Sequence, residues 1–304
     1  MEQTEKQTTG LRTEAIAGLT TFFTMAYIVV VNPSILSTQG TGMSFSGVLT
    51  ATVLVCFVMT LLMGLYARLP FAVAPGMGIN AFFTFTIILG MKVPWQAALG
   101  IIFWAGVLFM LISATPMRET IARAIPPGLR IATAAGIGIF LTFIGLRNAG
   151  LIVADPVTFV KLGTLDLKSL LTVFGLILTV WLLKKNSSLA FLSGIILVTI
   201  VAWLAGFVKA PEKFLSAPDF GSVFLKLDVR GALKLSLLPA IISILFTDLF
   251  DSISTFIGVS QASGMLDEEG NPKNLKQGLI VDAFATLGAG LAGTSSGTAY
   301  IESV

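Results

Sequence analysis

Asp248 and Asp251 stand three residues apart in a run, 235–261, that is otherwise free of charge. That step puts both carboxylates on one helix face, and Ser252 and Thr255 extend the face with hydroxyls. A charged side chain at mid-bilayer costs on the order of 3 kcal/mol on insertion scales, so each one needs a compensating role. Two neighbouring carboxylates repel when both are ionised, which suits the pair to reversible protonation. The competing reading is a structural hydrogen bond to a neighbouring helix. Asp248 lies deeper in the run and is the stronger candidate for function. Asp282, near the start of the run 278–293, has a plainer alternative: it can pair with Lys276 or cap a helix.

Two further polar side chains sit beside helix-breaking sequence. Glu302 follows Gly293-Thr294-Ser295-Ser296-Gly297-Thr298-Ala299-Tyr300-Ile301, a poor helix sequence at membrane depth. Asn80 follows Pro70-Phe71-Ala72-Val73-Ala74-Pro75-Gly76-Met77-Gly78-Ile79, with two prolines and two glycines. Proline cannot donate to a helix ladder, and glycine permits a sharp break. Both segments are therefore expected to run extended and then turn into a half-helix. Irregular backbone at that depth survives only where it is packed in protein or lines a cavity. Substrate sites of transporters are commonly built at such breaks. Asn80 supplies a buried donor and acceptor, or else merely caps its helix.

Composition sets the class of protein that must position these groups. Of 304 residues, 55% are hydrophobic and 12% charged, against about a quarter charged in soluble domains. The absence of any His rules out imidazole proton relays and Ser-His-Asp chemistry. The single Cys56 leaves no disulfide partner. No basic run points to nucleic acid. An integral-membrane enzyme would need a metal cluster or nucleophile pair that these residue types do not supply. No cofactor is expected beyond a proton or sodium as coupling ion, and the residue types suggest no metal site.

A span needs about 20 apolar residues. Residues 15–67 hold no charge and fit two spans with a turn at 37–45; runs 69–91, 93–117, 126–146, 169–183, 186–208, 235–261 and 278–293 add seven more. A tenth begins as the chain ends, so the sequence reads as truncated. The chain is thus expected to be an all-α integral membrane protein. Its tail is 1–14, its spans one to four 15–117, spans five to seven with an external segment 118–234, and spans eight to ten 235–304. Lys6, Arg12, Arg68, Arg118, Arg123, Lys184, Lys185, Lys273 and Lys276 fall on one side, and Lys92 alone lies in the short loops opposite. The positive-inside rule then puts the N-terminus in the cytoplasm.

The breaks also suggest a repeat. Phe23-Thr24-Met25-Ala26-Tyr27 parallels Phe246-Thr247-Asp248-Leu249-Phe250; Thr24 to Asn80 is 56 positions and Thr247 to Glu302 is 55. With seven spans between the copies, the second is inverted, and Asn80, Asp248 and Glu302 are expected to meet between two half-helices.

These segments, with Thr20-Thr21-Phe22-Phe23-Thr24-Met25-Ala26-Tyr27, Asn32-Pro33, Ala74 to Phe83, Asp248 to Ser252 and Gly293 to Ser303, resemble the nucleobase–cation symporter 2 family, and most closely its hypoxanthine/guanine and adenine permeases of the AzgA-like branch. The resemblance implies fourteen spans in two inverted repeats of seven. It implies a core domain of spans one to four and eight to eleven, and a gate domain of the rest. It carries substrate contacts over to Asn80, Asp248 and Glu302, with Asp251 a lesser candidate. The implied activity is import of hypoxanthine, guanine or adenine by cation symport, proton-coupled through Asp248, Glu302 or Asp251, in the plasma or inner membrane. Phe250, Phe83 or Tyr300 could stack on the base, although core or lipid packing is the commoner fate of any one aromatic. The alternatives are a uracil/xanthine carrier of the same family, or an anion carrier or channel of the same fold, which three acidic side chains disfavour. The sequence leaves the oligomeric state open, a homodimer included.

Overall fold

The computed structural model describes residues 10–115, 127–185, 187, 189–208, 216–267 and 272–303. Most of the expected N-terminal tail, residues 116–126 with Arg118 and Arg123, and residues 268–271 lie outside them.

In chain order the elements are α1 (Leu11–Met25), α2 (Ile28–Leu36), α3 (Phe45–Leu62) with a π-helical end at Met63–Ala67, and β1 (Val73–Pro75). Then come α4 (Met77–Ala81), continuing as a π-helix over Phe82–Gly90, α5 (Trp95–Ala114) and α6 (Pro127–Asn148). β2 (Ile152–Asp155), β3 (Phe159–Leu162), α7 (Leu167–Lys184) and α8 (Ala190–Leu204) follow. α9 (Leu238–Ala262), α10 (Leu275–Ala292), β4 (Gly297–Ala299) and a 3-10 turn at Ile301–Ser303 close the chain. Among the described residues, five helical stretches are long and apolar enough to cross a membrane, and Met77–Gly90 and Ala190–Leu204 are shorter apolar helices.

The expected all-α description needs amendment. β1 pairs antiparallel with β4, and β2 with β3. The second pair is a hairpin whose turn is held by Asp155, which accepts from Val157 N at 2.9 Å and Thr158 N at 3.1 Å and meets Lys161 at 3.1 Å. The hairpin lay hidden in a polar stretch that hydropathy reads only as a loop.

The chain forms two compact units. One holds the described residues of Met1–Tyr27 and Ala149–Glu212. In it α7 lies against α8 through Gly175 and Gly194, where a Cβ would meet Val198 Cγ2 at 2.5 Å and press on Thr179 Oγ1. Asp166 caps α7 by accepting from Ser169 N at 2.8 Å.

The other unit holds Ile28–Asn148 and Lys213–Val304 and contains the extended apolar core. Its helices start and stop at legible signals. Ser44 caps α3, and Pro94 precedes α5. Pro239 occupies the first turn of α9, and Gly293 at φ 99° ends α10 in the left-handed conformation that glycine adopts without strain. At the centre α5 runs along α10. Gly106 and Gly290 allow the approach, since a Cβ on Gly106 would lie 2.5 Å from Leu287 N and one on Gly290 2.9 Å from Phe103 N. Small residues at helix crossings are how membrane helices gain close packing. Phe71, Phe83, Phe109 and Phe256 are fully buried around this axis.

Candidate functional site

The site begins where the two interrupted segments cross. β1 and β4 pair in the register Val73↔Ala299, Ala74↔Thr298 and Pro75↔Gly297. Backbone polar groups freed by the helix breaks are thereby satisfied internally, as an apolar surrounding requires. Gly76 N donates to Ser296 O and Tyr300 N to Ala72 O, both at 2.9 Å. At the margin Val73 N donates to Thr60 Oγ1 at 2.9 Å and Ala72 N to Ser303 Oγ at 3.0 Å. Each segment then turns into helix, α4 after β1 and the 3-10 turn after β4. The proline- and glycine-rich stretches thus form extended backbone followed by a helical turn.

Asp248 lies on α9 facing this crossing and is fully buried. Ser296, just before β4, donates to Oδ1 at 2.7 Å, and Thr286 of α10 donates to Oδ2. Asp248 therefore ties α9 to both α10 and the strand segment.

Asn80, the fourth residue of α4, is also fully buried, and it does not cap its helix. Its Nδ2 donates to Asn32 Oδ1 at 2.7 Å, and Ser295 donates to its Oδ1. Asn32 on α2 extends the chain, donating from Nδ2 to Thr52 Oγ1 at 2.7 Å and Thr294 Oγ1 at 2.8 Å. Adjacent serines thus hold the two candidates, Ser295 on Asn80 and Ser296 on Asp248. Asn32 entered the sequence reading only as part of a motif. A lone amide in an apolar helix beside Pro33 was the available signal.

Asp251 and Glu302 form a second acidic neighbourhood. Both are partly exposed, and Asp251 lies within electrostatic reach of Glu302. Asp251 accepts no hydrogen bond among the described residues. Phe250 packs its ring on Phe246, with centroids 5.6 Å apart. Tyr300 is buried, donating from its hydroxyl to Pro75 O at 2.5 Å. Its backbone N–H is the one that bonds Ala72.

Asp282 departs from its plainer alternatives. It is the eighth residue of α10, fully buried, and Asn274 rather than Asp282 occupies the N-cap of that helix. Instead of meeting Lys276 it accepts from Ser252 Oγ, and from Thr298 Oγ1 at 3.3 Å. The same hydroxyl of Ser252 reaches Asp248 O at 2.7 Å. Thr286, Ser296 and Thr298 were not singled out from sequence, because hydroxyls are ordinary in apolar helices and only their convergence marks them.

The described part of the site is thus a wall of buried oxygens, with acidic groups and an amide held by strand backbone. Such an arrangement can bind the edge of a flat polar solute or hold a small cation. The family profile described as "Permease family" matches residues 12–304, nearly the whole chain. The chain belongs to that family, nucleobase–cation symporter 2. The family consists of permeases, which move solutes rather than transform them, and the chain is a multi-pass membrane protein.

Relatives agree. A putative permease of Methanocaldococcus jannaschii is 44% identical over 98% of this chain and 69% of its own length. The adenine permease AdeP of Escherichia coli is 41% identical over 97% of this chain and 66% of its own. The guanine/hypoxanthine permease PbuO of Bacillus subtilis is 38% identical over 98% of this chain and 70% of its own. The chain therefore spans about two thirds of these relatives. Among solved structures, the transmembrane domain of the cyanobacterial bicarbonate transporter BicA superposes with a TM-score of 0.66. That match covers 96% of this chain and 75% of the other at 16% identity, a likeness of fold alone.

Proposed function

We propose that this chain forms the substrate-bearing part of a secondary active transporter that imports purine nucleobases (hypoxanthine, guanine and adenine) by cation symport, with a proton as the coupling ion and sodium as the alternative. The observation that carries the reading is the placing of Asp248 and the amide of Asn80 on adjacent serines beside the β1–β4 pair, with the acidic pair Asp251 and Glu302 nearby.

A purine is flat, neutral and rich in edge donors and acceptors. Carboxylates accept its ring N–H bonds, and an amide matches its oxo or imidazole edge. In this reading Asn80, Asp248, Glu302, Tyr300 and Phe250 bind the base, and Asp248, Glu302 and Asp251 exchange the proton. Asn80 then gives up its bond to Ser295 or Asn32 when the base arrives. The family resemblance implies fourteen spans in two inverted sevens, and the spacing of the two broken segments agrees with the inversion. Residues 15–117 and 235–304 then belong to a core and 118–234 to a gate, with residues 1–14 as a cytoplasmic tail in the plasma or inner membrane. Nothing in the site speaks against a homodimer. A uracil/xanthine carrier would use the same edge chemistry. An anion carrier is disfavoured by carboxylates where a cation or neutral centre would serve.

Uptake of labelled hypoxanthine, guanine, adenine and uracil by cells expressing the full-length protein, with and without a protonophore, tests the reading. Saturable purine uptake abolished by the protonophore is the expected result. Uptake of none of the four bases would reject it.

A further inference from the structure

Asn32 has no hydrogen left to offer a solute. Its Nδ2 donates to Thr52 Oγ1 of α3 at 2.7 Å and to Thr294 Oγ1 at 2.8 Å, and its Oδ1 accepts from Asn80 Nδ2 at 2.7 Å. A carboxamide carries two N–H donors, so both are spent. The side chain is fully buried, and its three partners come from three separate stretches of chain. Whatever Asn32 does at the site, it does through Asn80.

The direction of these bonds is set at Thr52. The single hydrogen of its hydroxyl goes to Val48 O, 2.7 Å away. The oxygen therefore faces Asn32 as an acceptor and requires a nitrogen there. That turns the Asn32 carbonyl toward Asn80, which must bring its own nitrogen to meet it. The Asn80 carbonyl is left on the other side, where Ser295 donates to it. Turning Asn80 alone end for end would set two carbonyl oxygens against each other. Turning both amides would take the Thr52 hydrogen away from Val48.

We propose that Thr52 and Asn32 are positioning residues that fix the Asn80 amide end for end, and that this polarity decides whether the site takes a 6-oxo or a 6-amino purine.

Asn80 keeps one N–H, whose neighbour is the weak acceptor Met77 Sδ at 3.9 Å, and one carbonyl lone pair. The bond to Ser295 is the one a base displaces, because Asn32 is held from three sides. An amide offering an acceptor beside a donor matches the edge of a 6-oxo purine, where N1–H donates and O6 accepts. It also matches the edge of a 6-amino purine, where the amino group donates and N1 accepts. The two matches differ by an end-for-end exchange of the amide. An Asn80 free to turn serves both bases; a locked one serves one and sets like against like with the other, leaving buried polar groups unpaired.

This selectivity rests on the transporter reading above, in which Asn80 meets the base. The test is the ratio of KM values for hypoxanthine and adenine, measured beside kcat with the full-length protein in proteoliposomes. The wild type is expected to favour one base by at least about tenfold, as sites built to hydrogen-bond a substrate do. Thr52→Val keeps the shape of the side chain and removes the acceptor that orients Asn32. It is expected to bring the ratio toward one, with kcat for the favoured base little changed. Thr52→Ser restores the hydroxyl and should restore the wild-type ratio. Should Thr52→Val fail to fold, Thr52→Ala removes the same hydroxyl and takes its place. A wild type without preference, a ratio unmoved by loss of the hydroxyl, or an equal loss for both bases would overturn the proposal while leaving the transporter reading intact. Wild-type protein that moves neither base would reject the two together.

Discussion

Ser296 donates a 2.7 Å hydrogen bond to Asp248 across 48 positions of sequence, joining the long helix α9 to the strand segment that follows α10. Its neighbour Ser295 does the same for Asn80. Motion of segment 293–296 would therefore be felt at once by both Asp248 and Asn80, the two residues that the proposed function sets against the base.

Asp248→Asn keeps the size of the side chain but removes its charge and one acceptor. Gradient-driven uptake is expected to fall at least about tenfold, or about 1.4 kcal/mol, with the protein still inserted. Initial rates of purine uptake at matched expression measure it. An unchanged rate would remove Asp248 from the site.

Glu302→Gln leaves Asp251 without its acidic neighbour. The expected outcome is binding of purine without accumulation against a gradient, read from ligand binding to purified protein beside uptake in cells. Accumulation that still follows the pH gradient would exclude Glu302 from coupling.

Asn80→Ala strips a buried amide and leaves Asn32 Oδ1 and the Ser295 hydroxyl without their partner. Each orphaned buried group costs about 1–3 kcal/mol, so the variant is expected to melt earlier as well as bind more weakly. Melting and affinity measured together separate the roles; lost stability with unaltered affinity would leave Asn80 purely architectural.

Gly106→Ala would press a methyl group onto the α10 backbone at Leu287. Backbone cannot move aside as a side chain does, and overpacking of this kind costs about 1–3 kcal/mol. Gly258→Ala on α9 is the contrast, since its Cβ would meet nothing within 4 Å, and it should gain up to about 1 kcal/mol from helix propensity. Thermal unfolding of the two variants should move in opposite directions.

Outside the spans, Asp219 fastens its loop to the start of α3. Ser222 and Ser46 donate to its carboxylate, Ser46 at 2.7 Å, and these bonds hold the acid down at about 2. A depressed carboxylate stabilises the fold above its unfolded value of about 3.9. That contribution is lost as pH falls through about 2. The protection of residues 216–223 against hydrogen exchange, relative to the intrinsic rate at each pH, should fall between about pH 4 and 2 in the wild type. In Asp219→Asn protection should already be low at neutral pH, and an identical profile in both would show the latch to be idle.

The parts legible in the sequence were those where one residue violates its surroundings. Asp248 was visible as a charge in an apolar run, and the strands β1 and β4 as proline, glycine and hydroxyl residues where a helix should continue. Asp282 was equally visible as a charge, but its surroundings were not. Proximity to Lys276 along the chain suggested an ion pair, and only packing reveals that Ser252 and Thr298 surround it. Asn32 was obscure for a related reason: an amide among aliphatic residues signals burial without naming its partner. The β2–β3 hairpin escaped because short strands in a polar loop carry no hydropathy signature, and the break between α1 and α2 falls at Ala26-Tyr27 with no proline or glycine to mark it.

The pairing of Val73–Pro75 with Gly297–Ala299 sets a timetable for biosynthesis. When the ribosome has delivered the earlier strand, its partner lies more than 200 codons downstream. At about 5–20 residues per second that wait lasts on the order of 10–40 s. Throughout it, the insertion machinery or a lateral chaperone must shelter an unpaired stretch of peptide groups from acyl chains.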